Sequence, residues 1–597
     1  MDRQPDADQP LHGTIAYPGI DPDSPTGTAG QTGTAGQTGP TGDAAYPVAD
    51  PPTEQFEVIS TPEQQQPSLA RASGSMVIAN LVSRITGFLR QVMLVGVLGI
   101  GAIPDSYNLA NTLPNIVYEL LMGAVLASAV IPVLVRAQHE DADDGREFTQ
   151  RLVTVAGVLL LAGTILAVAC APLLTRLYFS SNDPHRTALT TAFSYLLLPQ
   201  ILFYGVFGLL SGILNARQVF KPAAWATVLF NLVMFVTLAI YLALPGDISL
   251  NPVRMGDAKL LVLGIGTTLG VAIQAAVLIP PLLRIGFRFR WRWGWDRRLS
   301  QFGRMVCWLL LYTLVSQVAY VVLSKIATGA QSGSYTVYSN SWLLLQVPYG
   351  VLGVSLLTAI MPRMSKAAAA GDVPGVVDNL STGSRMSAVM IIPICALITV
   401  LGPEVGIALF GLRHSNLSGS AVIGLSLTTS AFGLVFYAIT MLQLRVFYAM
   451  NDARTPTVIN GIMVVVKVIL FYVCKGVLDT GHIVYGLTFV NGLGFVIAAV
   501  VGEIWLRSRI GRLDTGRVIR TLAKVTIASV WGAAAALLVG KGLAAIFPAG
   551  TVLARSWVTL ILGSLVGLPI AFGGMLLLRV SEVRPVWLRF ARLARRG

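Results

Sequence analysis

Residues 73–98 read SGSMVIANLVSRITGFLRQVMLVGVL, a run long enough to cross a bilayer that carries two arginines near its middle. At about 100° per residue of an α-helix, Arg84 and Arg90 share one arc of the helix with Asn80 and Gln91, and the opposite face is aliphatic. A charge at this depth costs roughly 2.5–3.5 kcal/mol on insertion scales, so it normally faces a protein interior or a watery cavity. The stretch therefore predicts a membrane helix with one cationic side, which suits an anionic cargo.

Similar apolar runs recur along the rest of the chain. Of the 597 residues, 54% are hydrophobic and only 12% are charged, and the mean hydropathy is +0.68. A soluble protein would carry about 25% charged residues, and a membrane β-barrel would show short alternating segments of about 10 residues. We therefore predict an all-α polytopic membrane protein with about fourteen transmembrane helices.

Two pairs of segments repeat at a spacing of six predicted spans. GAVLASAVIP at 123–132 matches GVSLLTAIMP at 353–362, and LNARQVFKP at 214–222 resembles FYAMNDARTP at 447–456. Because an even number of spans preserves orientation, the pattern indicates parallel repeats, which is a known transporter plan. We predict two six-helix lobes around a central cavity, an N-lobe in 71–300 and a C-lobe in 301–512. Two extra helices follow in 513–580.

The net charge of +14 follows the predicted topology. The basic residues concentrate in alternate loops, which the positive-inside rule places in the cytoplasm together with both termini. We therefore expect no nucleic-acid partner. Residues 1–70, rich in Pro, Gly, Thr, Asp and Gln, predict a disordered tail, and 581–597 form a basic tail. The four cysteines lie in apolar spans without metal-binding spacing, so no metal is expected.

The linker between the two predicted lobes has the unusual sequence FRFRWRWGW at 287–295. Its alternation could suggest a β-strand. Aromatic and arginine residues at a membrane boundary favour instead an anchor in the headgroup layer.

Polar residues in the first two spans are the leading candidates for substrate binding. Guanidinium groups match diphosphate oxygens bidentately, so Arg84 and Arg90 come first; the alternative is a structural pairing with carbonyls or with Asp105 and Glu119. Asp105 opens the second span, where it could serve as a helix N-cap. Glu119 lies deep in that span and could neutralise an arginine or bind a coupling cation. Asn115 follows a proline that could kink or break the span.

Further candidates lie in the second predicted lobe. Gln317 and Lys325 belong to a polar stripe in span seven that is either a cavity wall or a set of interhelical hydrogen bonds, and Asn340 in span eight is a weaker case. Lys467 is a further intramembrane cation. The sequence contains neither a phosphate-binding Gly-rich loop nor a nucleophile–base set, so we expect neither an enzyme nor a cofactor. Transport would draw on the membrane potential, a monovalent cation gradient or the substrate gradient.

With these residues in view, the chain resembles the MurJ/MviN family of lipid II flippases in the MATE-like multidrug/oligosaccharidyl-lipid/polysaccharide exporter superfamily. The resemblance runs from about residue 73 to the end and is carried by SRITGFLR at 83–90, Asp105, LPN at 113–115, PYGVLG at 348–353 and FYAMNDARTP at 447–456. It implies that undecaprenyl-diphosphate-linked disaccharide-pentapeptide is flipped from the inner to the outer leaflet of the bacterial plasma membrane by alternating access. It also implies a cationic cavity for the diphosphate and a lipid-tail groove made by the last two spans.

The chain departs from this family at two positions. Many relatives carry arginines where this sequence has Tyr118 and Leu343, so either Lys325 or Lys467 compensates or the headgroup is bound differently. Three alternatives stay open: a flippase for another polyprenyl-diphosphate glycan, a MATE-type drug/cation antiporter, and a scaffold that recruits cell-wall synthesis proteins through its tails. The arginines disfavour the antiporter, whereas Glu119 favours it.

Overall fold

A computed structural model describes residues 69–118, 134, 137–138, 140–180, 183–249, 253–294, 303–411, 417–450, 452–547 and 552–583. Within Pro67–Gly597 the described residues form one compact unit. Nearly all of the predicted tails 1–70 and 581–597 lies outside them, and so do Glu119 and the repeat segment 123–132.

The first half of this unit consists of nine helices in the described ranges. The helix α1 lies against α7, α2 against α5, and α7 against α8. Their bounds are α1 Leu69–Leu98, α2 Ala102–Tyr118, α3 Arg146–Ala169, α4 Ala171–Tyr178, α5 Pro184–Leu197, α6 Gln200–Ala216, α7 Lys221–Ala243, α8 Ala258–Ala276 and α9 Ile279–Arg284.

The second half repeats this pattern of long packed helices and adds a final hairpin. The final two helices, α18 and α19, pack against each other and along α13. The bounds are α10 Gly303–Gly329, α11 Ser334–Pro348, α12 Val354–Ala369, α13 Val373–Phe410, α14 Leu417–Ser430, α15 Gly433–Ala449, α16 Arg454–Val477, α17 Ile483–Ile510, α18 Thr515–Ile546 and α19 Val552–Leu577.

The predicted all-α membrane fold is confirmed. In the described residues, 12 stretches are long and apolar enough to cross a membrane, and α14 with α15, bent by 53° at their junction, give up to 13. The remaining predicted span corresponds to α2, whose 17 residues end where the description stops. The predicted number of about fourteen is consistent with this arrangement.

Buried apolar side chains form separate cores within each lobe and one core between them. One core joins α2, α5, α7 and α8 in the N-lobe, another joins α12, α13, α15, α16 and α17 in the C-lobe, and the largest draws on both lobes and on α18 and α19. The aliphatic face of α1 stays outside these cores, because its large side chains on that face are exposed: Ile78, Leu81, Ile85 and Leu89. This is the lipid-facing side that the helical periodicity predicts.

One proline in the second span of the N-lobe and one in the second span of the C-lobe act differently. Pro114 lies inside α2, which continues as a helix to Tyr118, so the break proposed after this proline is absent from the described part of the span. In the C-lobe, Pro348 is followed by a π-helical turn, Tyr349–Gly353. A π-turn widens the helix and is often found at functional sites.

Candidate functional site at the lobe interface

Arg84 extends from α1 towards the C-lobe. Its side chain is exposed, and its guanidinium lies so close to Gly350 in the π-helical turn that a Cβ added at Gly350 would collide with it. A glycine at this position therefore leaves room for the arginine. Asn80, one helical turn earlier, is exposed on the same side. Arg84 is thus an exposed cation beside the π-helical turn of the C-lobe.

Arg90 lies about two turns further along α1 and is enclosed within the N-lobe. Its guanidinium carbon stands 4.9 Å from the centre of the Phe230 ring of α7. A cation–π contact of this kind contributes about 2 kcal/mol when it is desolvated. Arg84 and Arg90 share one side of α1 as predicted, but they have different neighbours and do not form one paired fork.

Asp105 connects the two lobes beyond the end of α1. Its fully buried carboxylate accepts hydrogen bonds from the backbone N–H of Gly333 at 2.7 Å and of Thr336 at 2.8 Å, and from the Thr336 hydroxyl at 2.7 Å. These donors form the free N-terminus of α11, where an anion is favoured. Asp105 therefore caps a helix, as one interpretation of the sequence proposed, but the helix belongs to the other lobe.

Further polar contacts surround this cap. The Asn108 amide donates to the Thr336 hydroxyl at 3.3 Å, and the Thr112 and Tyr335 hydroxyls are 3.3 Å apart. The Tyr335 hydroxyl also forms a hydrogen bond with the Tyr320 hydroxyl of α10. These side chains and Asp105 form a polar cluster that holds α2 against α10 and α11, and we call it the interlobe latch.

Comparison with known proteins identifies the family to which this architecture belongs. The family model for lipid II flippase MurJ matches residues 94–554. This chain belongs to the MurJ family. The match begins after Arg84 and Arg90, so these arginines are not part of it, whereas Asp105 and the rest of the latch are.

Individual members of the MurJ family match over most of their length. A probable lipid II flippase MurJ of Rhizobium meliloti is 25% identical over 68% of this chain and 75% of its own, and one of Synechocystis is 24% identical over 78% and 87%. A solved lipid II flippase MurJ in an inward closed conformation superposes with a TM-score of 0.65 at 17% identity, covering 84% of this chain and 99% of its own.

A MATE-family multidrug transporter in an inward-facing conformation also superposes, with a TM-score of 0.58 at 16% identity over 73% of this chain and 98% of its own. At this identity the two solved structures show only the fold. Together with the membrane-length helices, the family match makes this chain a multi-pass inner-membrane protein.

Arg186 is a charged neighbour of the latch that the sequence did not single out. Its guanidinium lies 3.4 Å from the Asp105 carboxylate and 5.7 Å from the centre of the Phe179 ring, and its Nε has no hydrogen-bond partner in the described residues. No sequence pattern links α5 to the start of α2, so this neighbour emerges only in three dimensions.

The other predicted site residues are spread along the interface. Asn340 is fully buried on α11 and accepts a hydrogen bond from Gln91 of α1 at 3.1 Å, so it joins the lobes between the latch and Arg84. Gln317 is half-buried on α10, and its buried amide oxygen has no partner in the described residues. Lys325 lies about one turn before the end of α10, and Asn115 is half-buried on α2.

Lys467 is buried in the centre of the C-lobe. Its ammonium donates to the Asn491 amide oxygen at 2.9 Å and lies 4.4 Å from the centre of the Phe495 ring. No carboxylate forms an ion pair with it in the described residues. Lys467 is therefore held in the C-lobe core by contacts with α17.

An apolar cavity of about 300 Å³ lies on the flank of the C-lobe, between α13, α15 and α18. It is lined mainly by apolar side chains, among them Ile392, Ala396, Val435, Phe436, Leu522 and Val530. Of the two helices predicted to form a lipid-tail groove, α18 contributes to this cavity.

Proposed function

We propose that this chain flips lipid II, the undecaprenyl-diphosphate-linked precursor of peptidoglycan, from the inner to the outer leaflet of the plasma membrane. The observation that carries the proposal is the lobe interface of a MurJ-family chain, which is latched by Asp105 at one end and presents the Arg84 guanidinium at the other. A guanidinium is suited to a diphosphate because it presents several donors in a fixed plane.

The mechanism follows from the positions of these groups. With both termini in the cytoplasm, α1 enters from the cytoplasmic side, and Arg84 lies about 21 Å before the end of α1 at 1.5 Å per residue, with Asp105 beyond that end. The diphosphate would enter between the lobes at Arg84 while the interlobe latch keeps the periplasmic end closed. Release outward then requires the hydrogen bonds of Asp105 to α11 to break and the lobes to part. No covalent step is needed.

The energy source and the partners are part of the same proposal. An inside-negative potential favours outward movement of the diphosphate by roughly 2.3 kcal/mol per charge per 100 mV. A co-transported monovalent cation would reduce that gain. We propose that the membrane potential drives the cycle, so collapsing it with an ionophore in sealed vesicles should slow flipping several-fold. The cytoplasmic tails could recruit cell-wall synthesis proteins.

A complementation experiment tests the proposed function. Cells depleted of their own lipid II flippase would express the wild-type chain, Arg84→Ala or Arg90→Ala at matched membrane levels. We expect growth with the wild type and loss of growth with Arg84→Ala. The exposed Arg512, on another cytoplasmic loop, provides the matched control as Arg512→Ala, which should grow normally.

The outcomes separate the function from the assigned site. Rescue by all variants would keep lipid II as the cargo and remove Arg84 from its binding site. Failure of a well-expressed wild-type chain would shift the proposal to another polyprenyl-diphosphate glycan, which a flipping assay with that glycolipid in proteoliposomes would detect.

A further inference from the structure

The linker segment 287–294 is fixed along the first turns of α3. The Gln150 amide donates to the Arg288 carbonyl oxygen at 3.1 Å, and the backbone N–H of Arg292 donates to the Thr154 hydroxyl at 3.3 Å. The Arg292 guanidinium also pairs with Glu147 at 2.9 Å. The segment forms neither helix nor sheet, so these contacts, rather than a backbone ladder, hold it against α3.

Two kinds of side chain alternate along this segment. The arginines at 288, 290 and 292 line one pocket, whereas Phe289, Trp291 and Trp293 do not. The aromatic side chains are far more exposed than large apolar groups normally are in water, at 53%, 66% and 67% for Phe289, Trp291 and Trp293. Aromatic residues of this kind are enriched where a membrane surface meets water.

The arginines border a polar pocket of about 330 Å³ between the segment and α3, which we call the linker pocket. It contains four arginines against two carboxylates: Arg146, Arg288, Arg290, Arg292, Asp143 and Glu147. Asp143 already accepts hydrogen bonds from the backbone N–H groups of Gly145 and Glu147, at 3.1 and 2.8 Å. Both carboxylates are therefore engaged within the protein.

Three of these arginines have guanidinium groups that no carboxylate pairs with in the described residues. Arg146, Arg288 and Arg290 are exposed and have no ion pair within the part of the chain that the structure describes. Clustered guanidinium groups without carboxylate partners repel one another, and a phosphate placed among them would accept several charge-assisted hydrogen bonds. The pocket is thus complementary to a phosphate monoanion.

The position of the pocket favours a phosphate on a lipid. The helix α3 carries exposed Leu159, Ile165 and Leu166 further along its length, so it borders the hydrocarbon layer. It packs against α4 and α6, whereas the lobe interface is built from α1, α2, α10 and α11. The linker pocket therefore opens at the membrane surface and is separate from the proposed lipid II site.

We propose that the linker pocket binds the headgroup phosphate of an anionic phospholipid of the cytoplasmic leaflet, with the three aromatic side chains in the surrounding headgroup layer. The bound lipid would neutralise the arginines and hold the interlobe linker against α3. The proposal does not depend on which cargo the lobes carry.

Quenching of tryptophan fluorescence by brominated lipids tests this site. The full chain would be placed in phosphatidylcholine nanodiscs that contain an equal low fraction of brominated phosphatidylglycerol or brominated phosphatidylcholine. The contribution of the linker is the quenching that the wild-type protein shows and the Trp291→Phe/Trp293→Phe variant lacks. In the wild type, we expect brominated phosphatidylglycerol to quench the linker tryptophans about ten times as strongly as brominated phosphatidylcholine. In Arg288→Gln/Arg290→Gln, this ratio should fall close to one.

The double variant has a matched control. Arg288 and Arg290 contribute no side-chain ion pair in the described residues, so their replacement should leave the unfolding temperature in detergent unchanged. Arg512→Gln/Arg520→Gln removes the same charge from exposed arginines elsewhere on the basic-rich side and should keep the selectivity.

Three results would overturn the proposal. The first is equal quenching of the linker by both lipids in the wild-type protein, and the second is an equal loss of selectivity in both double variants. The third is loss of the selective quenching when inorganic phosphate is added at constant ionic strength, because the pocket would then hold a soluble anion rather than a lipid.

Discussion

The two ends of the lobe interface are built differently. At the Asp105 end, a buried carboxylate satisfies the N-terminus of α11, and hydroxyl and amide groups close the space around it. At the Arg84 end, an exposed guanidinium lies beside a glycine in a π-helical turn. A transporter that alternates between two openings needs one end closed by bonds that can be broken and one end accessible to cargo. We therefore propose the first role for the interlobe latch and the second for Arg84.

The largest effect is expected for Asp105→Asn. The amide keeps one acceptor but presents N–H groups to a buried helix terminus that has only donors, and Arg186 loses its counter-ion. Hydrogen bonds to charged groups contribute about 1.5–3 kcal/mol each, so we expect about 3 kcal/mol of destabilisation and loss of complementation. Denaturant unfolding in detergent and the depletion assay measure the two effects.

Asp257→Asn is the matched control for this change. Asp257 also caps a helix, because its carboxylate accepts hydrogen bonds from the backbone N–H groups of Lys259 and Leu260. That helix, however, belongs to the same lobe as Asp257. We expect little loss of stability and retained growth, because Asn caps a helix about as well as Asp does. Equal effects of both substitutions on growth would show that the Asp105 cap has no special role in joining the lobes.

An intermediate effect is expected for Gly350→Ala at the Arg84 end of the lobe interface. A Cβ at Gly350 would displace the Arg84 guanidinium, which is exposed and can rotate away, so Gly350→Ala should leave stability nearly unchanged. If Arg84 contacts the diphosphate, flipping of lipid II in proteoliposomes should fall several-fold. Gly461→Ala on α16 is the control, because its added Cβ meets open space. Unchanged flipping in Gly350→Ala would argue against a precise position for Arg84.

The smallest effect concerns the corner between α15 and α16. Burial alone would raise the pKa of Asp452, but hydrogen bonds from the Thr455 side chain and backbone, together with the charge of Arg509, lower it below the ordinary value. Because the folded-state pKa lies below the unfolded value of about 3.9, this contribution is present above that pH and is lost as the pH falls through the folded-state pKa.

Asp452→Asn should therefore lower stability at neutral pH by at most about 1 kcal/mol and flatten the decline in stability below about pH 4. The corresponding corner of the N-lobe, LNARQVFKP at 214–222, has no carboxylate, so the effect distinguishes the two lobes. Unfolding measured from pH 3 to 7 would show it, and parallel curves for the two proteins would contradict it.

Local sequence patterns were sufficient to predict the spans. Runs of apolar residues located every span that the structure describes, and the periodicity of residues 73–98 gave both the lipid-facing side of α1 and the shared side of Arg84 and Arg90. Such patterns depend on neighbours within a few turns of one helix. They can therefore be recognised in the sequence without knowledge of the fold.

The bonds that join the lobes could not be predicted in this way. Asp105 and Gly333 are 228 residues apart, and a carboxylate in a first helical turn indicates a local cap far more often than a cap on a distant helix. Arg186 was missed for the same reason. The roles in substrate binding of all the candidate residues stay predictions: Arg84, Arg90, Asp105, Asn115, Glu119, Gln317, Lys325 and Asn340.

A disulfide across the latched end tests the central claim most directly. A Cβ at Gly419 would lie 3.5 Å from the Cβ of Ile100, within the range for a disulfide, so Ile100→Cys/Gly419→Cys would join the lobes beside the interlobe latch. The four native cysteines would be replaced first. We predict that the oxidised protein does not flip lipid II in proteoliposomes, that reductant restores flipping, and that neither single variant responds. Wild-type flipping by fully cross-linked protein would contradict the account, because transport would then proceed without separation of the lobes at this end.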